Sequence, residues 1–160
     1  MRGLDKRSGQ SGTTTVEFAV VATLLMTILL SVVEFGRALF VVNTLTEATR
    51  RGARLAAVCP LGDPKPVSAA LFAPGGGDSP VIPGLTRGNV VIEYLDGSGA
   101  VIANPAANFN SIQYVRARIT GFHLPLLIPL LMPTLTLDGF AATLPRESLG
   151  VPRTGPINSC

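Results

Sequence analysis

The sequence predicts an α+β protein in which a long N-terminal membrane-spanning helix precedes a small, mainly antiparallel β-sheet domain. Three observations carry this prediction. All thirteen prolines lie between Pro60 and Pro156, and because proline disfavours a helix interior by about 3 kcal/mol, the residues before them are free to form one long helix. Residues 18–33 contain no charged side chain. Later segments alternate between apolar and polar residues, which is typical of strands.

The uncharged run at residues 18–33 is interpreted as a membrane span rather than a buried core helix. At ~1.5 Å per residue it covers about 24 Å of a hydrocarbon layer about 30 Å thick. Glu34 and Arg37 lie one turn apart and are expected to pair, which lets the span continue to about residue 42. No small-x-small cleavage site closely follows the run, so we expect it to be retained. Basic residues flank it on both sides, so charge counting alone gives no orientation.

Beyond the span the pattern stays helical up to Cys59, which precedes a proline and is therefore expected to end the helix. Ala48, Gly52 and Ala56 form a ladder of small residues on one helix face. Such a ladder lets another backbone approach closely. It is either a helix–helix contact between subunits or the surface on which the helix packs against its own sheet, and we favour the second interpretation.

The remainder of the chain is predicted to be β-rich. Strands are expected at 89–95, 100–103, 112–120 and 134–144, with a hairpin turn at 96–99 and a short helix near 67–72. Residues 122–132 are apolar, but prolines recur every four residues, which favours an apolar loop over a second span. The predicted organisation comprises a leader (1–12), a helix (13–58, span about 18–42), a loop-rich connector (59–88), a β-rich domain (89–147) and a flexible tail (148–160).

The two cysteines, Cys59 and Cys160, leave two alternatives open. In an oxidising compartment they could form a disulfide that closes a loop of about 100 residues. Against a disulfide, Cys160 ends a segment rich in proline and glycine that need not return to the end of the helix. The sequence argument therefore favours a free or intermolecular thiol over an intramolecular bridge.

Charge and motif content argue against nucleic-acid binding and against catalysis. The net charge of +3 divides into +2 for residues 1–12 and +1 for the rest, so the predicted folded part carries no basic stripe. The sequence has no G-x-S-x-G motif, no Walker loop and no Cys/His ligand set. His123 is the single histidine and is expected to be structural. We therefore expect no enzyme activity, cofactor, metal or small-molecule substrate.

The most informative motif lies between the leader and the span. Thr14 and Glu17 fit a capping box, with Thr14 as N-cap. However, Gly12, four residues, Glu17 and Phe18 at the start of an apolar helix also resemble the processing site of type IV prepilins and pseudopilins. In those families a membrane aspartyl peptidase cuts after the glycine. The resemblance implies cleavage between Gly12 and Thr13, and it implies that Glu17, fifth in the mature chain, meets the new amino group of a neighbouring subunit.

Residues 16–58 extend this resemblance. The VEFA start, the EFGR after the span and the A-x-x-x-GAR helix end follow, in order and spacing, the pattern of the TadE-like family of tight-adherence pilus assembly proteins. The strand IQYVRARIT, the apolar loop with prolines and the segment ending near LPRES fit more loosely. TadF-like pseudopilins share much of this layout, and the sequence does not separate the two subgroups.

The resemblance implies a pilin-like layout and a minor pseudopilin of a Tad (Flp) type IV pilus or secretion system. Such a protein has one span in the bacterial inner membrane, a cytoplasmic N-terminus and an extracytoplasmic C-terminal domain. Its partners would be the membrane, the prepilin peptidase, other pilin or pseudopilin subunits and the Tad assembly machinery. The alternative is an unprocessed single-pass anchor that keeps residues 1–12 and displays an extracytoplasmic interaction domain.

Overall fold

A computed structural model describes residues 11–126, 134–151 and 160. The chain divides into two compact units, Met1–Arg37 and Ala38–Cys160. One helix, α1 (Ser11–Val58), contributes residues to both units. The predicted α+β class, with a long apolar N-terminal helix followed by a small antiparallel β domain, is confirmed.

The described part of the first unit is helical throughout. Three hydroxyl groups in its apolar stretch are satisfied within the helix, because Thr23, Thr27 and Ser31 each donate to the carbonyl oxygen four residues earlier, at 2.8, 2.8 and 2.7 Å. A helix in a hydrocarbon environment must form hydrogen bonds to its polar groups from within, because no water is present to bind them. α1 is long and apolar enough to cross a membrane, and its most apolar stretch is not buried within the protein. These properties fit a single-pass membrane protein.

The second unit combines residues 38–58 of α1 with a second helix and, over the described residues, five strands. Their bounds are α2 (Lys65–Ala70), β1 (Val90–Leu95), β2 (Tyr114–Ile119), β3 (Phe122–Pro125), β4 (Thr134–Leu137) and β5 (Phe140–Pro145). The first sheet has the order β1–β2–β5 and the second pairs β3 with β4. All pairs are antiparallel, with Ile92 opposite Ala117 and Ala117 opposite Ala142.

The core lies where residues 38–58 of α1 meet the strands and α2. Leu45 is fully buried there, and burial of a leucine side chain contributes about 1.5–3 kcal/mol. One buried cluster includes Val41, Leu45, Leu71, Ile82, Leu85, Ile119 and Phe122, and a smaller one contains Ala56, Ile112, Val115 and Leu149. On β2 the residues Val115, Ala117 and Ile119 are buried, as the alternating pattern predicts.

The predicted returning strand at 100–103 does not form. The turn at 96–99 exists and is held by Asp96, whose carboxylate accepts hydrogen bonds from the backbone of Ser98 at 2.8 Å and of Ala100 at 3.0 Å. Only a single bridge then joins Leu95 to Val101. β1 takes β2 as its full partner instead, because β2 offers a strand of equal length with buried residues on the core side.

Two further expectations for the C-terminal half are wrong. Residues 122–125 form β3 rather than a loop, because Phe122 and Leu124 are buried while the residues between and after them are exposed. Residues 127–133 of the expected loop lie outside the described residues. The single strand expected at 134–144 is two strands in different sheets. The break falls at Asp138 and Gly139, where Gly139 has a φ of +89° that favours glycine.

The segment expected to be a flexible tail returns to the end of α1 over its described part. Leu149 is buried, and its backbone N–H donates to the carbonyl of Ala57 at 3.2 Å. The N–H of Gly150 donates to Val58 at 2.6 Å. Residues 148–151 therefore belong to the packed domain.

Candidate processing and assembly sites

Gly12 occupies the first described turn of α1 and is exposed. A Cβ added at this position would meet no atom within 4 Å. Glycine in a helix interior is about 1 kcal/mol less favourable than alanine. Packing against the described residues therefore does not account for a glycine here, and Thr13, the next residue, is exposed as well.

The capping-box interpretation required α1 to begin at Thr14. In the structure α1 already includes Ser11, so Thr14 and Glu17 lie inside the helix rather than at its boundary. The Glu17 side chain is exposed, and Phe18 is 74% exposed. Both side chains are thus open to a partner.

Glu34 and Arg37 form the expected ion pair, with a guanidinium nitrogen 2.5 Å from a carboxylate oxygen. The pair lets the apolar helix continue past two charged side chains. A neutralised ion pair is less unfavourable in an apolar environment than an isolated charge. Gly36 lies between them, and a Cβ there would also meet nothing within 4 Å. Gly36 is thus a second helical glycine without a packing reason in the described chain.

The ladder of Ala48, Gly52 and Ala56 is buried within the second unit. A Cβ added to Gly52 would lie 3.1 Å from the Cβ of Ala70 and 3.3 Å from that of Ala117. The helix therefore approaches α2 and β2 more closely than a larger residue would allow. Of the two interpretations of the ladder, the structure shows packing of the helix on its own domain.

Cys59 and Cys160 are joined by a disulfide, with their Cα atoms 5.6 Å apart. The free or intermolecular thiol favoured from the sequence is thus not what the structure contains. The sequence argument treated the C-terminal segment as independent of the helix end. In fact Glu147 and Leu149 both donate backbone hydrogen bonds to Ala57, and the N–H of Cys160 lies 3.3 Å from a carboxylate oxygen of Asp63.

A groove of about 520 Å³ lies between α1 and α2, and sequence reasoning missed it. Its cationic residues are Arg51, Arg54 and Lys65, all exposed. The guanidinium of Arg51 lies 4.7 Å from the ring centroid of Phe72 and also donates to Glu47 at 2.9 Å. That hydrogen bond from Arg51 holds the pKa of Glu47 below its ordinary value, and the neighbouring positive charges act in the same direction.

Phe72 occupies an unusual backbone position at the end of α2. Its φ is +57°, its N–H donates to Ala69 at 3.1 Å, and the N–H of Ala73 donates to Ser68 at 2.9 Å. This is the Schellman arrangement, in which the left-handed position is usually glycine. A side chain there costs about 1–2 kcal/mol. No glycine marks this helix end, so the sequence carried no signal for it.

Over the described residues, no group of three or more His, Cys, Asp or Glu side chains is placed to hold a metal ion. His123 lies on the exposed face of β3, with Nδ1 3.1 Å from the hydroxyl oxygen of Thr136. That hydrogen bond links β3 to β4, so His123 contributes to the second sheet.

Comparison with known proteins bears on the N-terminal helix. Residues 12–54 match the family model described as TadE-like protein. No curated protein and no solved structure matches the chain. The matched segment contains the glycine, the exposed Glu17 and the Glu34–Arg37 pair. The resemblance predicted from the sequence is therefore confirmed, and residues 12–54 are similar to the TadE-like family.

Proposed function

We propose that this chain is a minor pseudopilin-like structural component of a Tad (Flp) type IV pilus or secretion system, matured by a prepilin peptidase that cuts after Gly12. The TadE-like match over residues 12–54 supports a Tad pilus-associated component in broad terms. Cleavage, membrane topology and assembly with other pilin-like subunits are the finer parts of the proposal.

The observation that carries the proposal is Gly12 itself. It is exposed in the first turn of an apolar helix, and no described neighbour requires its small size. A peptidase needs an extended substrate, so the first turn of α1 must unwind before cleavage. Helix ends open at little cost, and glycine, which has no Cβ, weakens the helix and lets a peptidase approach the backbone closely. A glycine that weakens the helix at this point therefore suits a cleavage site.

The disulfide supports an extracytoplasmic second unit. Disulfides persist in oxidising compartments such as the bacterial periplasm and are rare where thiols are kept reduced. A bridge between Cys59 and Cys160 therefore favours a topology with the N-terminus in the cytoplasm and the β domain across the inner membrane. This support is independent of the basic residues that flank the span.

The exposed helix supports assembly with other subunits. Its large apolar side chains from Val16 to Val33 are exposed, and Gly36 offers a point at which another helix could approach closely. In the assembled state, the carboxylate of Glu17 would meet the amino group that cleavage creates on a neighbouring subunit. A free carboxylate near the hydrocarbon needs such a partner, because its charge is unfavourable there.

The test compares two glycine substitutions in the same helix. We expect Gly12→Val to remain uncleaved in cells that contain the peptidase, because the new side chain would fill the space in which the peptidase approaches the backbone closely. Gly36→Val is the matched control, since Gly36 also has no neighbour within 4 Å, and we expect it to be cleaved normally. Electrophoretic mobility of membrane extracts reports both. Normal cleavage of Gly12→Val would contradict the proposal and favour the unprocessed anchor.

A further inference from the structure

We propose that the groove between α1 and α2 is a docking site for an acidic peptide segment of a partner protein. The groove is lined by Arg51, Arg54, Lys65 and Phe72, with apolar side chains between them. We call it the basic groove. The proposal rests on this surface alone and does not depend on cleavage after Gly12.

The charge of the basic groove is not balanced from within. Among the described residues that line it, three are cationic and none is acidic. Arg51 is partly neutralised by Glu47, which lies beside the groove. Within the described ranges, neither Arg54 nor Lys65 takes part in a salt bridge. Arg54 also lies in the field of Glu47, but three cations around the groove face one neighbouring carboxylate, so the ligand that complements the groove is anionic.

The floor of the basic groove is apolar, which distinguishes a peptide from a small anion. Leu55, Ala69, Ala73 and Pro74 contribute to the lining, and the Phe72 ring lies beneath the Arg51 guanidinium. A carboxylate could bind Arg54 through two parallel hydrogen bonds. A neighbouring apolar side chain of the same peptide could cover the floor. A concave surface of this kind suits side-chain insertion better than contact with a flat membrane.

The conformation of Phe72 points to the same surface. Its left-handed φ of +57° is a position that glycine would fill without strain. Strained residues persist where the surrounding structure holds them, and they concentrate at ligand-binding sites. The strain places a phenyl ring beside the cations, where it also packs against the core. An aromatic residue next to arginines is a common composition for a protein interface.

The experiment measures binding of a fluorescein-labelled peptide, EEFEE with blocked ends, to the full chain in non-ionic detergent. The salt concentration is about 0.15 M, at which the Debye length is about 8 Å. Fluorescence anisotropy gives the Kd. We expect Arg54→Glu to weaken binding by about tenfold or more, because a like charge then faces the peptide. Arg50→Glu is the matched control: Arg50 is exposed one turn earlier on α1 and does not line the groove. We expect it to change the Kd by less than about threefold.

A second variant separates the aromatic contribution from folding. Phe72→Gly loses the packing of the ring against the core, but glycine fits the left-handed position, which offsets part of that loss. We expect it to weaken binding of EEFEE more than binding of EEGEE, in which the peptide's aromatic anchor is absent. Equal losses for Arg54→Glu and Arg50→Glu, or no saturable binding below about 1 mM, would overturn the proposal. Competition by single-stranded DNA or by anionic-lipid vesicles as strong as that of the unlabelled peptide would also overturn it, since the groove would then select charge alone.

Discussion

Removal of the disulfide by Cys160→Ser should destabilise the β domain through its effect on the unfolded chain. Cys160 is exposed in the structure, whereas Cys59 is fully buried. Substitution at Cys160 therefore removes the cross-link without placing a hydroxyl in the core. The backbone hydrogen bonds from Leu149 and Gly150 to the end of α1 do not require the bridge. We therefore expect the folded domain to keep its packing.

The size of the effect follows from the length of the closed loop. The two cysteines are 101 positions apart, and the chain-entropy model gives about 4.7 kcal/mol for a loop of about 100 residues. Native disulfides in small extracellular domains typically contribute about 2–5 kcal/mol. We expect Cys160→Ser to lower the free energy of unfolding by about 3–5 kcal/mol. With a urea dependence of about 1.5 kcal/mol per molar, the midpoint falls by about 2–3 M.

The assay is equilibrium urea unfolding of the full chain in non-ionic detergent. The protein has no tryptophan and two tyrosines, Tyr94 and Tyr114, which lie on β1 and β2. Tyrosine fluorescence therefore reports the β domain and not the membrane helix. Reduced wild-type protein should match Cys160→Ser, and the variant itself should not respond to reductant. A loss below about 1 kcal/mol in the variant, together with a wild-type midpoint insensitive to reductant, would refute the reasoning.

Three further substitutions test other parts of the account. Gly52→Val should lower the free energy of unfolding by about 1–3 kcal/mol, since even a Cβ at this position would lie 3.1 Å from the Cβ of Ala70. An unchanged urea midpoint would show that the helix can move away. Gly150→Ala should lower the free energy of unfolding by about 2 kcal/mol or more, because φ is +77° and the new Cβ would overlap the ring of Pro60. Thermal unfolding at the wild-type temperature would contradict this contact. Glu17→Ala should leave cleavage intact but reduce the number of assembled pili, counted by electron microscopy, and wild-type numbers would exclude an assembly role for the carboxylate.

The elements that could be predicted from sequence are those whose signal is local. The absence of proline before Pro60 and the uncharged run predict α1, and its observed end at Val58 agrees with the boundary expected from Cys59 and Pro60. The alternation of residues 112–120 predicts β2 and the face that it buries. In both cases neighbouring residues carry the pattern, so no knowledge of distant partners is needed.

Most of the features that were missed depend on contacts between distant residues. Nothing near Cys160 indicates that the chain returns to Cys59, because the hydrogen bonds that bring it back join residues about ninety positions apart. The split of the last strand did have a local signal, since Asp138-Gly139 is a common turn pair. The Asp138 carboxylate accepts the N–H of Gly121 at 3.0 Å, which ties this turn to the start of β3. The basic groove likewise exists only once α2 lies against α1.

Maturation after Gly12 is the central claim, and the intact mass of the wild-type protein tests it most directly. The protein is extracted from membranes of cells with and without the prepilin peptidase, and its N-terminal peptide is sequenced by mass spectrometry. The account predicts a chain that begins at Thr13 when the peptidase is present and one that retains residues 1–12 when it is absent. A chain that retains residues 1–12 in both membranes would contradict it.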